Sequence, residues 1–379
     1  MTTQSASPQK AVITLGNGQL GLMLGKAAKK LGIPYTALSL PDARAWLSHE
    51  SHPERALVTF EMEHVDDDLL AAVQAKGVET FPTLGSFRLL KSKLSQKNFL
   101  KAAGIPSSPF IPAAPWGPQC EAFITANSGA VLKAGKGGYD GNGVWLVDGA
   151  GLTKDGPAAE VAAKLEEPYL EARIDFQEEV AAVVARSASG ALELYPTVRS
   201  IQRDGICYQV EYTREFAKSP AALKAGDLAR LIAEKLGYVG VLAVECFVRG
   251  EGAAAEVMVN EIAPRVHNSG HFSIDVCAGS QFENHLRAGL GLALERTQPV
   301  HGAALMTNLL WPESEKEFAP LFTKLTCGAE WPENAKLHWY GKSGTRAKRK
   351  MGHFTVYGNT LAECRAEAQQ ILASRWSVR

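Results

Sequence analysis

The segment VNEIAPRVHNSGH at residues 259–271 constrains the fold most, because it joins an apolar strand to a dense run of polar groups. Residues 256–262 are apolar in the middle and polar near the end, which predicts a strand. Side chains alternate along a strand, so the adjacent Asn260 and Glu261 point to opposite faces. Pro264 is expected to end this strand, because proline lacks the N–H that a sheet requires.

The loop that follows carries Arg265, His267, Asn268 and His271. Burying such a cluster costs free energy unless its members find partners, so the pattern favours a functional site. The alternative is a loop in which His267 and His271 are structural residues with satisfied hydrogen bonds.

A second strand, predicted at residues 237–248, carries a lone acid, Glu245, among Leu242, Val244 and Phe247. A carboxylate among apolar neighbours is costly without a cation or a hydrogen-bonding partner. Glu245 and Glu261 lie on consecutive strands and therefore form a candidate pair for one or two magnesium ions, which prefer oxygen ligands.

The chain opens with an apolar run at 11–15, the turn GNGQLG at 16–21 and a helical pattern at 22–31. Strand, glycine turn and helix are typical of a doubly wound α/β unit. A dinucleotide site also requires an acid at the end of the second strand, and residues 35–40 contain none. We therefore favour another anion at the helix N-terminus, such as a sugar phosphate.

Two further segments of the N-terminal part bear charges. Residues 57–63 predict a strand with Glu61 and Glu63 on one face, near the usual ligand crevice, although solvated strand-end charges are an alternative. Residues 84–103 predict a single helix with five basic residues. Such a run usually forms a solvated face, but one lysine could reach a nucleotide phosphate.

Residues 130–146 contain two apolar strands around a loop with five glycines between 135 and 143. This pattern predicts a hairpin with little side-chain bulk at its tip. Glycine amides can donate to phosphates, and Lys133 at the strand end adds a fixed positive charge. The loop lacks the GxxxxGK[ST] spacing of a Walker loop. A glycine-rich hairpin without a ligand is the minor alternative.

A strand-end acid, Glu171, has apolar neighbours and could hold an adenine amino group and a ribose hydroxyl. The C-terminal part is predicted to be mostly β, with strands at 303–310, 336–340 and 351–357 before a closing helix at 360–374. Five cations lie in the loop 341–350. They form either a solvated turn or a clamp for a phosphate monoester.

The 379 residues suffice for two or three domains, and 40 basic residues balance 40 acidic ones. A net charge of zero gives no general attraction to nucleic acid or to an anionic membrane, and no apolar run is long enough to span a bilayer. The six scattered cysteines lack metal-binding spacing, so we predict reduced thiols in a cytoplasmic protein.

Five motifs together resemble the N5-carboxyaminoimidazole ribonucleotide synthetases of the ATP-grasp superfamily. They are GNGQLG from Gly16, KAGKGGYDGNG from Lys133, GYVGVLAVECFV from Gly237, NEIAPRVHNSGH from Asn260 and HWYGK from His338. The resemblance spans nearly the whole chain, and the combination of NEIAPRVHNSGH with GGYDG is specific.

The resemblance implies an α/β (α+β) chain with an ATP-grasp fold and three parts. These are an N-terminal doubly wound domain of the preATP-grasp type at 1–105, an ATP-grasp domain at 106–295 with a lid at about 106–176, and a small β-rich C-terminal domain at 296–379.

The implied reaction is the ATP-dependent carboxylation of 5-aminoimidazole ribonucleotide with bicarbonate in purine synthesis, through carboxyphosphate. The products are N5-carboxyaminoimidazole ribonucleotide, ADP and phosphate. ATP and Mg²⁺ are the implied cofactors, and a homodimer is the implied assembly, with no nucleic-acid or membrane partner. Bicarbonate becomes a good electrophile only after phosphorylation, and a closing lid would keep water from the intermediate.

The resemblance also implies roles for individual residues. Mg²⁺ would bind Glu245 and Glu261. ATP would contact Lys93, Lys133, Gly138, Tyr139, Asp140, Gly141, Asn142, Gly143, Val144, Glu171, Ala172, Arg173, Ile174, Glu179, Gln202, Asn260 and Glu261. The ribonucleotide and the carboxyphosphate would contact Gly18, Gln19, Leu20, Glu61, Arg265, His267, Asn268, Lys342, Arg346 and Arg349. The residues expected to act in catalysis are Arg265, His267, Asn268, Tyr139, Asp140 and Lys342.

The chain departs from the family pattern at Lys93, where arginine is frequent, and at Gln202, where histidine is frequent. The spacing of the basic loop at 346–350 also differs. Two general bases, Asp140 and Glu61, are open. Two other functions are also open: a formate-dependent glycinamide ribonucleotide transformylase, and a nucleotide-binding regulatory subunit without turnover.

Overall fold

A computed structural model describes residues 10–138, 142–311, 330–342 and 348–376. The strands are β1 (Ala11–Leu15), β2 (Tyr35–Leu38), β3 (Ala56–Phe60), β4 (Glu79–Thr80), β5 (Phe110–Pro112), β6 (Ala130–Lys133), β7 (Val144–Val147), β8 (Leu152–Thr153), β9 (Gly156–Pro157), β10 (Tyr169–Glu171), β11 (Glu178–Arg186), β12 (Leu192–Leu194), β13 (Val198–Arg203), β14 (Ile206–Thr213), β15 (Gly240–Arg249), β16 (Glu256–Ala263), β17 (Ala303–Leu310), β18 (Ala335–Trp339) and β19 (Lys350–Gly358).

The helices are α1 (Gln19–Leu31), α2 (Leu40–His49), α3 (Asp67–Ala75), α4 (Leu84–Leu90), α5 (Lys93–Ala102), α6 (Pro118–Ala126), α7 (Ala158–Ala162), α8 (Pro220–Lys235), α9 (Ser273–Val276), α10 (Gln281–Gly289) and α11 (Leu361–Arg375). In the described part of the chain, no helix combines the length and the apolar composition needed to cross a bilayer.

The N-terminal strands form a parallel sheet in the order β2-β1-β3-β4. Both faces of this sheet are apolar, with Val12 and Leu57 in one core and Ile13 and Val58 in another. The predicted strand, glycine turn and helix are confirmed, although α1 begins at Gln19 rather than at residue 22.

The prediction that Glu61 and Glu63 share one face of a strand is wrong, because β3 ends at Phe60. The Glu61 side chain, just beyond the strand, points into the glycine turn at residues 16–21. There its carboxylate accepts hydrogen bonds from the backbone N–H groups of Gly18, at 2.6 Å, and Gly21. A Cβ at Gly16 would overlap with the Glu61 side chain, so the turn requires glycine at that position.

The single helix predicted at 84–103 is in fact two helices, α4 and α5. Ser92 separates them, since its Oγ accepts from the Ser95 N–H at 3.1 Å and so caps the start of α5. The break places Lys93 at the first position of α5, where its own N–H donates to the Gly135 carbonyl at 2.8 Å.

The predicted hairpin at 130–146 is confirmed as the antiparallel pair β6 and β7. These strands belong to a separate sheet in the order β5-β10-β6-β7, with its own core of residues such as Leu132, Leu170 and Ile124. The tip residues 139–141 lie outside the described residues.

A long antiparallel sheet runs β16-β15-β11-β13-β14-β17-β19-β18, with β12 paired to β11. Strands β11 and β15 are buried on both faces, since α8 packs on one side and α10 on the other. The C-terminal strands continue this sheet, because β14 pairs with β17 from Gln209–Thr307 to Thr213–Ala303. The domain boundaries given above stay a prediction, and the sheet crosses the one near residue 295.

A buried histidine ties the N-terminal sheet to the long sheet. The Nδ1 atom of His285 on α10 accepts from the Val241 N–H at 3.0 Å, and its Nε2 lies 2.7 Å from the Thr59 hydroxyl on β3. Because a backbone N–H fixes Nδ1 as the acceptor, Nε2 carries the proton and donates to Thr59. Burial lowers the pKa of His285 to about 3.

We expect His285→Phe to lower stability and to weaken its dependence on acid pH. The unfolded chain protonates this histidine below a pKa of about 6.5, but the folded chain does so only near 3. The wild type therefore loses stability as pH falls through that window, at up to about 1.4 kcal/mol per pH unit. Phenylalanine removes this titration. Melting temperatures from pH 4 to 8 should differ most at pH 8 and converge in acid, whereas parallel curves would contradict the assignment.

Candidate active site

The two acids expected to form a pair lie side by side. Glu245 on β15 and Glu261 on β16 are direct partners across the antiparallel strands, and a bulge follows Glu245. Burial, together with the nearby carboxylates of Glu261 and Glu179, raises the pKa of Glu245 to about 7. Concentrated negative charge of this kind favours a cation.

A lysine already compensates part of this charge. The Lys93 ammonium lies 2.6 Å from Glu261 Oε2. Although burial alone would raise the pKa of Glu261, Lys93 holds that pKa below its usual range. Glu261 is therefore ionised at neutral pH and next to a cation at the start of α5.

Glu171, at the end of β10, is buried between two lysines. Lys133 Nζ lies 2.5 Å from Glu171 Oε2 and 3.2 Å from Asn260 Oδ1, and Lys97 Nζ contacts the other Glu171 oxygen. Burial would raise the pKa of Glu171, but the two ammonium groups hold it below its usual range. Two cations around one carboxylate leave an excess of positive charge beside the hairpin.

Glu179 and Gln202 lie on neighbouring parts of the same sheet. Burial raises the pKa of Glu179, against the effects of a hydrogen bond from Gln202 and the charge of Lys133. Gln202 also donates to the Ser200 hydroxyl at 2.9 Å, beside a bulge in β13. Lys133 therefore lies close enough for its charge to act on Glu179.

The hairpin neck is closed by backbone contacts. Ala134 N–H donates to the Gly143 carbonyl at 2.9 Å, and Gly143 has a φ of 79°, which favours glycine. Gly138 packs against the Asn142 carbonyl, and Val144 begins β7. Tyr139, Asp140 and Gly141, which the sequence assigned to the lid, lie outside the described residues.

The segment after Glu171 crosses from the hairpin sheet to the long sheet. Ala172 is buried and its N–H donates to the Pro109 carbonyl at 2.9 Å, whereas Arg173 is exposed and Ile174 is half-buried. The Ala172 N–H is therefore already bonded within the protein.

The loop beyond Pro264 faces the acidic pair. Arg265 forms an ion pair with Glu63 at 2.9 Å, and His267 Nε2 lies 3.5 Å from Glu245 Oε1. Asn268 exchanges side-chain amide contacts with Asn308 on β17, at 3.0 and 3.4 Å. Burial, with the charges of Arg265 and Lys350, holds the pKa of His267 well below its usual range.

The residues expected to contact the ribonucleotide come from both ends of the chain. Lys342, after β18, donates to Gln19 Oε1 at the start of α1. The amide groups of Gly18 and Gly21 are already bonded to Glu61, so an anion would meet that carboxylate first. The Leu20 side chain is buried in the core, which leaves its backbone for contacts.

Two arginines of the basic loop, Arg346 and Arg349, were also expected to contact the ribonucleotide. Arg346 lies outside the described residues. Arg349 precedes β19, and its carbonyl accepts from the Trp311 N–H at 2.7 Å.

Three residues near the site were missing from the predicted set: Glu63, Lys97 and Lys350. Glu63, which the sequence indicates only as a strand-end acid, pairs with Arg265. Lys97 was counted in the solvated basic run, yet only 1% of it is exposed. Lys93 and Lys97 are four residues apart and therefore lie on the same face of α5. This spacing was the signal in the sequence that could have identified Lys97. The charge of Lys350 acts on both Glu245 and His267.

The donor set at the acidic pair fits a hard divalent cation. Two carboxylates whose mutual repulsion raises a pKa supply the oxygen ligands and the negative charge that Mg²⁺ prefers. Within the described residues, no group of three or more His, Cys, Asp or Glu side chains could hold a metal. A pair is nevertheless sufficient for Mg²⁺, which keeps water and binds substrate phosphates in such sites.

Family models match two regions of the chain. An ATP-grasp domain matches residues 98–282, and a phosphoribosylaminoimidazole carboxylase C-terminal domain matches residues 304–367. The expected ATP-grasp fold and its C-terminal companion are thereby confirmed.

Similar proteins cover nearly the full length. The N5-carboxyaminoimidazole ribonucleotide synthase of Synechococcus elongatus is 34% identical over 98% of this chain and 96% of its own. A carboxyaminoimidazole ribonucleotide synthase from Aspergillus clavatus, solved with ATP, has a TM-score of 0.82 and 30% identity over 98% and 100% of the two chains. An N5-carboxyaminoimidazole synthase from the same organism, solved with ADP and 5-aminoimidazole ribonucleotide, has a TM-score of 0.80 and 28% identity over 97% and 98%.

Full-length identity above 30% and the paired acids beside the glycine hairpin lead to the same conclusion. The chain belongs to the N5-carboxyaminoimidazole ribonucleotide synthase family.

Proposed function

We propose that the protein is a ligase that uses ATP to carboxylate 5-aminoimidazole ribonucleotide with bicarbonate, through carboxyphosphate, in purine biosynthesis. One observation supports the proposal most: strand β16 and the loop after it bring together the groups that we expect to bind nucleotide and anions. On β16, Glu261 faces Glu245 of the neighbouring strand β15 and pairs with Lys93 of α5. Arg265 and His267 follow directly after Pro264, and His267 lies near Glu245.

The lysines account for the nucleotide end of the site. Lys93 and Lys133 lie on either side of Glu261 and Asn260, so that both ammonium groups can face the phosphates of ATP. Phosphoryl transfer spreads negative charge over the transferred group, and fixed cations stabilise that charge without having to reorganise. Mg²⁺, held by Glu245 and Glu261, would neutralise further phosphate charge when bound.

The loop after Pro264 supplies the groups that we expect to bind the carboxyphosphate. Ser269 N–H donates to His267 Nδ1 at 3.3 Å, so the neutral imidazole carries its proton on Nε2 and can donate to an anion. Arg265 supplies a guanidinium fork that matches a carboxylate or phosphate, and Asn268 supplies an amide. We infer that these groups hold carboxyphosphate next to the amine, with Lys342 and Gln19 at the ribonucleotide.

Asp140 and Glu61 are the two candidates for the general base. Asp140 lies outside the described residues, and Glu61 holds its carboxylate against the glycine turn. We infer that Glu61, near the Gln19 and Lys342 contact, is within reach of the substrate.

A homodimer in the cytoplasm completes the proposal. The family resemblance supports the dimer, which analytical ultracentrifugation would measure. The five cysteines of the described part are free thiols, which suits a reducing compartment.

The test compares two substrate pairs. ADP release is measured with 5-aminoimidazole ribonucleotide and bicarbonate, and separately with glycinamide ribonucleotide and formate. We expect turnover with the first pair, and ¹⁸O from labelled bicarbonate should appear in the released phosphate. Turnover with formate alone would overturn the proposal in favour of a transformylase. Protection by ATP without turnover from either pair would instead indicate a regulatory subunit.

A further inference from the structure

One side chain fixes the backbone of the loop that carries His267. Gln281, the first residue of α10, is fully buried. Its Oε1 accepts from the His267 N–H at 2.8 Å, and its Nε2 donates to the His267 carbonyl at 2.6 Å. Gly270 packs on the same amide, where a Cβ would lie only 2.5 Å from Oε1. The conformation of the loop therefore depends on how the Gln281 amide is oriented.

A second histidine supports that orientation. The Nε2 atom of Gln281 lies 3.0 Å from His271 Nδ1. Since Oε1 is the atom that accepts from a backbone N–H, Nε2 must be the donor, and His271 Nδ1 must be an acceptor. Turning the amide by 180° would bring its oxygen against two acceptors, the His267 carbonyl and His271 Nδ1. His271 therefore permits only one orientation while it is neutral with its proton on Nε2.

The C-terminal strands hold His271 in place. The His353 ring on β19 lies 4.9 Å from the His271 ring and stacks at 4.6 Å on His338 of β18. His353 Nδ1 is 2.6 Å from the Tyr340 hydroxyl, and His338 Nε2 is 3.0 Å from both oxygens of Asp275 on α9. The cluster thus joins α9 and α10 to the C-terminal strands.

The burial of His271 argues against a role in packing alone. Its Nε2 and that of His353 are both buried without a hydrogen-bonding partner in the described part of the chain. An apolar side chain would fill the same space without leaving a buried polar atom unpaired. The atom of His271 that has a partner is Nδ1, the one that faces Gln281.

We propose that His271 is a positioning residue, whose Nδ1 holds the Gln281 amide in the orientation that aims His267 at Glu245. The inference rests on the function proposed above and extends it to a residue that touches no reactant. Lys93, Lys133 and Glu261 lie outside this chain of contacts. The chain of contacts does reach Glu245 through His267, so loss of the His271 acceptor should impair the transfer of the carboxyl group to the amine more than ATP binding.

The test is the ratio of carboxylated product to ADP in two variants. In His271→Asn the amide group lies near the position of Nδ1, whereas in His271→Gln it lies near Nε2. We expect the asparagine variant to keep most of the wild-type ratio and the glutamine variant to lose at least about tenfold, as is usual for groups that act through another. The KM for ATP should change little in either variant.

His285→Phe is the matched control, because His285 is also buried and neutral and lies one helical turn from Gln281. It should lower the melting temperature without changing the ratio. No carboxylated product from the wild type would refute the proposed function. A wild-type enzyme that carboxylates, together with a folded His271→Gln variant of unchanged ratio, would refute only the positioning role.

A measurement on the wild-type protein tests the inference even if the variants fail to fold. Nitrogen-15 spectra of labelled histidines distinguish the two neutral tautomers. We expect His271 to show the tautomer with the proton on Nε2 throughout the neutral range. A proton on Nδ1 would overturn the inference.

Discussion

Replacing Glu261 by Gln is expected to lower substrate-dependent ADP release by about 10³-fold, because the site loses a charge without changing shape. Glu261 pairs with Lys93 at 2.6 Å and faces Glu245 across the strands. A neutral amide cannot complete the pair of carboxylates that suits Mg²⁺. The rate would be measured at saturating substrates over a range of magnesium concentrations.

Glu256→Gln is the control for this experiment. Glu256 lies on the same strand but is exposed, where it pairs with Arg249 at 2.5 Å. Exposed ion pairs contribute little to stability, so its rate should stay within about twofold of the wild type. If Glu261→Gln kept more than about a tenth of the wild-type rate, the metal would have to bind elsewhere.

Replacing Arg265 by Ala is expected to lower carboxylation by about 10²- to 10³-fold with little change in the Kd for ADP. The guanidinium lies beyond the end of β16 and pairs with Glu63 at 2.9 Å, whereas Lys93 pairs with Glu261 and Lys133 with Glu171. Carboxylation rates would be compared with calorimetric titrations of ADP.

Arg265→Lys refines this result. A lysine keeps the charge but loses the planar fork, so we expect a rate between those of the wild type and the alanine variant. Arg249→Ala, on the neighbouring strand β15, serves as the control for the loss of an exposed arginine. Equal losses in ADP binding and carboxylation would rule out a role for Arg265 at the amine-dependent step.

Local patterns in the sequence predicted most of the elements that position the site. The strand ended by Pro264, the strand that carries Glu245 and the glycine hairpin all lie where the apolar periodicity placed them. Their apolar patterns are local signals, which depend only on neighbouring positions. The pairing of Glu245 with Glu261 followed because consecutive antiparallel strands are usually adjacent.

Contacts between distant parts of the chain were not predictable in the same way. Glu61 accepts hydrogen bonds from backbone amides of the glycine turn, which lies far from it in the sequence. The Ser92 cap, by contrast, is a local contact that the helical pattern at 84–103 obscured. Lys97 looked like one more solvated cation, since nothing local reveals that Glu171 is its partner. The Gln281 contacts depend on the packing of a helix against a loop, which spacing does not encode.

The pairing of β14 with β17 has a practical consequence for anyone who wishes to shorten the protein. A fragment that stopped before β17 would leave residues 209–213 of β14 unpaired at a sheet edge, and such edges pair with strands of other molecules. We therefore expect a chain that ends before β17 to aggregate, because in the full chain the C-terminal strands cover this edge.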